Sequence, residues 1–193
     1  MNDSNVGKLI AAIKDPDDKV RSAAWVDAGQ YGAAAVRPLA DVMTDDRLEV
    51  ARAAKRGLWT VVRHVGRPGA DQERQQVEAA LCGLLGDDWS DTVRREVLWM
   101  LSEIGGDDAV EAIRDIPDIL ERKGIRDDAR CAVERIPGDL AVQTLEEALE
   151  FAPEDFQSSI AQSLRARGIE VDEQAYPCQK LVPTKETKVN RGR

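Results

Sequence analysis

Few side chains in this sequence are of the kinds that break bonds, and their spacing limits what they can do. The single histidine, His64, cannot build a multi-histidine metal site. Cys82, Cys131 and Cys178 are scattered, contain no CxxC pair and are odd in number. They cannot close a disulfide framework, and they suit a reducing compartment. The acidic clusters Asp15, Asp17, Asp18 and Asp87, Asp88, Asp91 miss the calcium-loop pattern and stand where helix N-caps are expected. No Walker loop and no G-x-S-x-G elbow occurs, and Gly66-Arg67-Pro68-Gly69 is too short to cradle a phosphate. What remains is the chemistry of recognition. Arginine and tryptophan recur at helical spacing: the guanidinium grips carboxylates bidentately, and the indole supplies desolvated contact area.

The elements that must position these residues follow from periodicity. Three thirteen-residue segments align without gaps: VRSAAWVDAGQYG (20–32), VRREVLWMLSEIG (93–105) and FQSSIAQSLRARG (156–168). Each carries apolar residues at i, i+4 and i+8 and ends in glycine, which predicts a one-striped helix with a terminator. Segments 50–66 and 129–138 fit more loosely, the latter cut short by Pro137. A second amphipathic stripe precedes each one: Val6, Leu9, Ile10, Ile13; Val36, Leu39, Met43; Val77, Leu81, Leu84; Val110, Ile113, Leu120; Val142, Leu145, Leu149. Pro38 falls near a helix start, where it costs little, whereas Pro117 should kink or break the fourth of these helices. The turns between paired helices are acidic, which suits helix N-termini. The prediction is an all-α solenoid, a right-handed α–α superhelix of about five helical hairpins over 5–32, 33–66, 71–105, 107–137 and 139–168. Residues 169–193 lack the pattern and read as an extended or disordered tail, with the PCQKLVP segment as a candidate cap for the last unit.

The element D-x-x-V-R-x-x-A-x-x-x-x-G, present as Asp17, Val20, Arg21, Ala24 and Gly29, resembles bacterial HEAT repeats of the phycobilisome-lyase type. The resemblance covers about residues 5–168. It implies an interaction scaffold whose second helices line a concave inner surface, and in which Arg21, Arg94 and Arg130 bridge to turn aspartates of neighbouring units. It also brings two enzymatic alternatives. A bilin-lyase-type activity has no defining motif to look for. A HEAT-like DNA glycosylase needs a basic chain and a carboxylate among the groove aromatics, and this chain is acidic. Hydroxylases of similar fold hold di-iron through His-Glu motifs, and here Val65 follows His64. No cofactor or metal is expected.

Plotted at about 100° per residue, the second helices turn an arc away from their partners. That arc carries Trp25, Arg52, Lys55, Arg56, Trp59, Arg63, Arg95, Leu98, Trp99, Ser102, Cys131, Glu134, Arg135, Ser158, Gln162 and Arg165. Seven of these are basic and one is acidic, inside a chain of net charge −9. The predicted partner-binding residues are Arg52, Arg56, Trp59, Arg63, Arg95, Trp99 and Arg165, and the predicted partner is an acidic protein or peptide. Net acidity argues against nucleic acid. No apolar run reaches the ~20 residues of a membrane helix, and no basic leader opens the sequence, so a cytoplasmic location is expected.

Overall fold

The computed structural model of the chain describes residues 3–178. It is all-helical over that range, with helices α1 (Asp3–Ile13), α2 (Asp18–Asp27), α3 (Val36–Val42), α4 (Leu48–Val65), α5 (Asp71–Cys82), α6 (Asp91–Ile104), α7 (Asp107–Arg114), α8 (Arg126–Arg135), α9 (Asp139–Phe151) and α10 (Glu154–Ala166). A 3-10 segment, Ala28–Ala35, joins α2 to α3. Consecutive helices pair as five hairpins. The even-numbered helices contact one another in chain order, and so do the odd-numbered ones. This arrangement is a two-layered helical-repeat solenoid, in which each unit buries its stripe against its neighbours. On α4 the buried residues Val50, Ala53, Ala54, Leu58, Val61, Val62 and Val65 recur every three or four positions, while Arg52, Arg56 and Arg63 stay exposed on the other side.

The units depart from the predicted repeat at several places, each for a local reason. Helix α7 stops at Arg114 and does not run on to Leu120, because Pro117 cannot continue it. Ile116 is nonetheless buried, and Ile119 and Leu120 pack on the core from an irregular segment. The three matching glycines act differently. Gly168 takes φ +81° and closes α10 with bonds from Gly168 N to Arg165 O (2.9 Å) and from Ile169 N to Leu164 O (3.0 Å), a Schellman closure. Gly105 is extended and sits where a Cβ would lie 2.6 Å from the Leu101 carbonyl oxygen. Gly32 lies beyond the end of α2, inside the 3-10 segment.

The turn residues also depart from expectation. Asp17 caps α2 by accepting from Lys19 N at 2.8 Å, and Ser90 caps α6. Asp87 and Asp155 instead pair with arginines, Arg122 at 2.9 Å and Arg126 at 2.8 Å, both from neighbouring units. Arg21 and Arg94 do not reach a neighbouring unit. Arg21 donates to the Asp15 and Pro16 carbonyls and Arg94 to the Trp89 carbonyl, so each closes its own turn. Arg130 does reach across, to Ser163. Within the layer of odd-numbered helices, Glu78 of α5 accepts from Gly106 N at 2.6 Å and so satisfies the start of α7.

The segment after α10 does not lead away from the fold. Ile169 and Val171 pack against the core, and the Tyr176 carbonyl accepts from Arg165 at 2.6 Å. Within the expected PCQKLVP cap, Pro177 and Cys178 are described, and the rest lies outside the described residues.

Candidate functional site

Helices α2, α4, α6, α8 and α10 form one layer of the solenoid, and its cations and indoles obey a rule. Lys55 and Trp59 lie one turn apart on α4, as Arg95 and Trp99 do on α6. Each pair converges on one carboxylate of the next helix in that layer. Glu96 of α6 pairs with Lys55 through one oxygen and accepts from Trp59 Nε1 through the other at 3.3 Å. Asp128 of α8 accepts from Trp99 Nε1 at 2.8 Å and pairs with Arg95 Nε at 3.2 Å. Arg95 also donates to the Gly124 carbonyl at 2.8 Å. The two carboxylates are 21% and 19% exposed and their cations 45% and 49%, so the acceptor is the more shielded partner of each pair. Repeat is stapled to repeat in this way.

Cations further along the surface are engaged as well. Arg135 pairs with Glu103 at 2.8 Å and lies 6.0 Å over the Trp99 ring. Arg165 faces the chain's own C-terminal segment. Leu98 is fully buried and belongs to the core, and Ser102 bonds the Trp99 carbonyl.

The pattern breaks between the first and second units. Arg21 and Trp25 have the same one-turn spacing, but Arg21 is turned into its own turn, and the position facing Trp25 is held by a cation. Arg56 Cζ lies 5.7 Å from the Trp25 ring centroid. Arg63 lies 5.6 Å over Trp59. Among the described residues neither guanidinium has a carboxylate within ion-pair distance, and Trp25 Nε1 makes no hydrogen bond. Arg52 pairs only with Glu49 of its own helix, and both side chains are more than half exposed. A hollow of about 430 Å³ is lined by Trp25, Arg52, Arg56, Trp59 and Arg63, and a second of about 450 Å³ by Trp59, Arg63, Arg67 and Glu103. Trp59 and Arg63 form the wall between them.

Of the seven predicted residues, the structure brings Arg52, Arg56, Trp59 and Arg63 together on α4. It sets Arg95 and Trp99 into a staple and turns Arg165 to the C-terminal segment. Glu96 and Asp128 were missed, because an angular plot of single helices has no term for the next helix. The recurring cation-x-x-x-Trp spacing was the available signal. Of the reactive groups, His64 at the end of α4 and Cys178 are exposed, and burial pushes the half-buried Cys82 thiol up to about 12. Cys131 is likewise raised by burial.

No family model matches the chain, and no curated protein matches it. Among solved structures it is similar to two engineered proteins. One is 20% identical, with a TM-score of 0.40, over 86% of this chain and 79% of that one. The other is 23% identical, with a TM-score of 0.41, over 86% and 81%. It is also similar to a designed armadillo repeat protein in complex with the peptide (KR)4, 18% identical, with a TM-score of 0.41, over 84% and 82%. These likenesses are loose.

Proposed function

We propose that this chain is a non-catalytic scaffold of the bacterial HEAT-repeat kind, working in the cytoplasm, that binds an acidic segment of a partner protein on the α2–α4 part of its inner surface. One observation carries the reading. Where Glu96 and Asp128 complete the indole–cation pairs of later units, the place opposite Trp25 holds Arg56, and Arg63 stands over Trp59 with no carboxylate within ion-pair distance among the described residues. A partner carboxylate supplies at Trp25, Arg56 and Arg63 what the chain supplies to itself at Trp59 and Trp99. Its backbone and apolar side chains then lie on Trp59, between the two hollows. Guanidinium stacked on indole is held in orientation, so little further freedom is lost when it grips a carboxylate. The half-buried Cys82, its thiol pushed up to about 12 by burial, stays neutral and fits a surface that binds rather than reacts.

The test is fluorescence anisotropy with a labelled Glu-rich peptide carrying leucines, and a Lys-rich peptide of equal length as control. The Glu-rich peptide should bind, and Arg56→Glu and Arg63→Glu should each weaken it about tenfold or more. Equal binding of the Lys-rich peptide, or full binding by a folded double variant, sinks the assignment.

A further inference from the structure

A separate cavity lies between the fourth and fifth units, far along the solenoid from Trp59. It exists because α7 ends at Arg114, so the irregular segment before α8 covers the gap where another helical turn would have packed. Its volume is about 210 Å³, and its walls include Ile113, Leu120, Val133, Leu145, Ala148 and Ile160. It opens to solvent on one side, and its volume exceeds the roughly 150 Å³ at which an enclosed apolar cavity admits benzene. Two further observations point to an occupant. Thr144, on the α9 wall, has a hydroxyl shut off from solvent with no hydrogen-bond partner. Phe151, at the rim, is 73% exposed, the most exposed large apolar side chain among the described residues.

Charge narrows the class. The cations at the wall are each matched already: Arg114 by Glu147 at 2.7 Å, Arg126 by Asp155 at 2.8 Å, and Arg130 by Asp127 and Glu134 at 2.9 Å. No surplus charge is left to hold an ion. Arg126 also lies 4.4 Å over the Phe156 ring, which closes one side with a flat face. We propose that this cavity is a binding site for a small neutral aromatic molecule bearing one hydrogen-bonding group, of the phenol or indole class. The ring fills the apolar walls. Of the two rotamers open to threonine in a helix, the one that turns the Thr144 hydroxyl toward the cavity brings it to the ligand.

The experiment titrates phenol and toluene into the full chain and follows isoleucine and leucine methyl resonances. Saturable shifts confined to the wall residues Ile113, Ile119, Leu120, Leu145 and Ile160 are expected, with phenol bound about fivefold tighter than toluene, the worth of one net hydrogen bond. Thr144→Val should abolish that preference and leave toluene binding intact. Ala148→Phe, which fills the cavity, should weaken both ligands at least tenfold. Absence of saturable shifts overturns the proposal, as does equal binding by the filled variant. Should Ala148→Phe fail to fold, toluene binding as tightly as phenol to the unaltered chain, or an unchanged preference in Thr144→Val, overturns it instead.

Discussion

Glu96 and Asp128 each take a cation and an indole N–H from the preceding unit, so removing either carboxylate strands two donors on the neighbouring helix. Glu96→Ala should therefore cost about 1–3 kcal/mol in urea unfolding, more than an exposed pair such as Arg52–Glu49 would. Arg56→Glu should behave in the opposite way. It places a carboxylate opposite Trp25 and makes the first junction resemble the next two, so stability should stay within about 0.5 kcal/mol of the parent while binding of the Glu-rich peptide is lost. A large loss of stability would show that Arg56 is structural glue and not a contact for a partner. The Arg and Trp positions were legible in the sequence because helical phase alone sets which face they occupy. Their division into stapled and unmatched groups was not, since it depends on which carboxylate of the next helix stands opposite, a contact across 29 or more residues.

Helices and turns were legible wherever one stripe dictated them. The apolar spacing of α4 placed its eight buried positions, and Pro117 marked where α7 would fail. The roles of the turn acids were not legible, because an aspartate before a helix serves equally as a cap or as an arginine partner, and only the approach of Arg122 and Arg126 decides. Nor did the glycine pattern reveal that Gly105 is needed for room. Gly105→Ala should destabilise by about 2 kcal/mol or more, since its Cβ would meet the Leu101 carbonyl oxygen at 2.6 Å and the Ala109 Cβ at 2.8 Å. Glu78 is the odd-numbered layer's counterpart of the staples between even-numbered helices. Glu78→Ala should cost about 1–3 kcal/mol by orphaning Gly106 N, and hydrogen exchange at the start of α7 should quicken.

Across the whole molecule, turn carboxylates held by arginines make the solenoid sensitive to acid. Arg47 holds Asp45 at about 2, Arg122 lowers Asp87, and Arg126 with Lys123 lowers Asp155. A carboxylate whose folded value lies below its unfolded value of about 3.9 contributes its full stability above that value and loses it as protons bind. Thermal stability should thus be level from neutral pH to about 5 and fall between about 4 and 2, and Asp45→Asn should flatten the lower end of that fall. The solenoid also separates its charge: a chain of net −9 keeps unmatched guanidiniums at Arg56 and Arg63 on one stretch of its even-numbered layer. An acidic partner then meets two fields of opposite sign at different ranges. At about 0.01 M salt the Debye length is about 30 Å, and the partner feels the repulsion of the whole molecule; at about 0.1 M it is about 10 Å, and only the local attraction survives. Stopped-flow association rates should accordingly rise with added salt, pass through a maximum and then decline, whereas a purely basic binding surface would slow from the first addition.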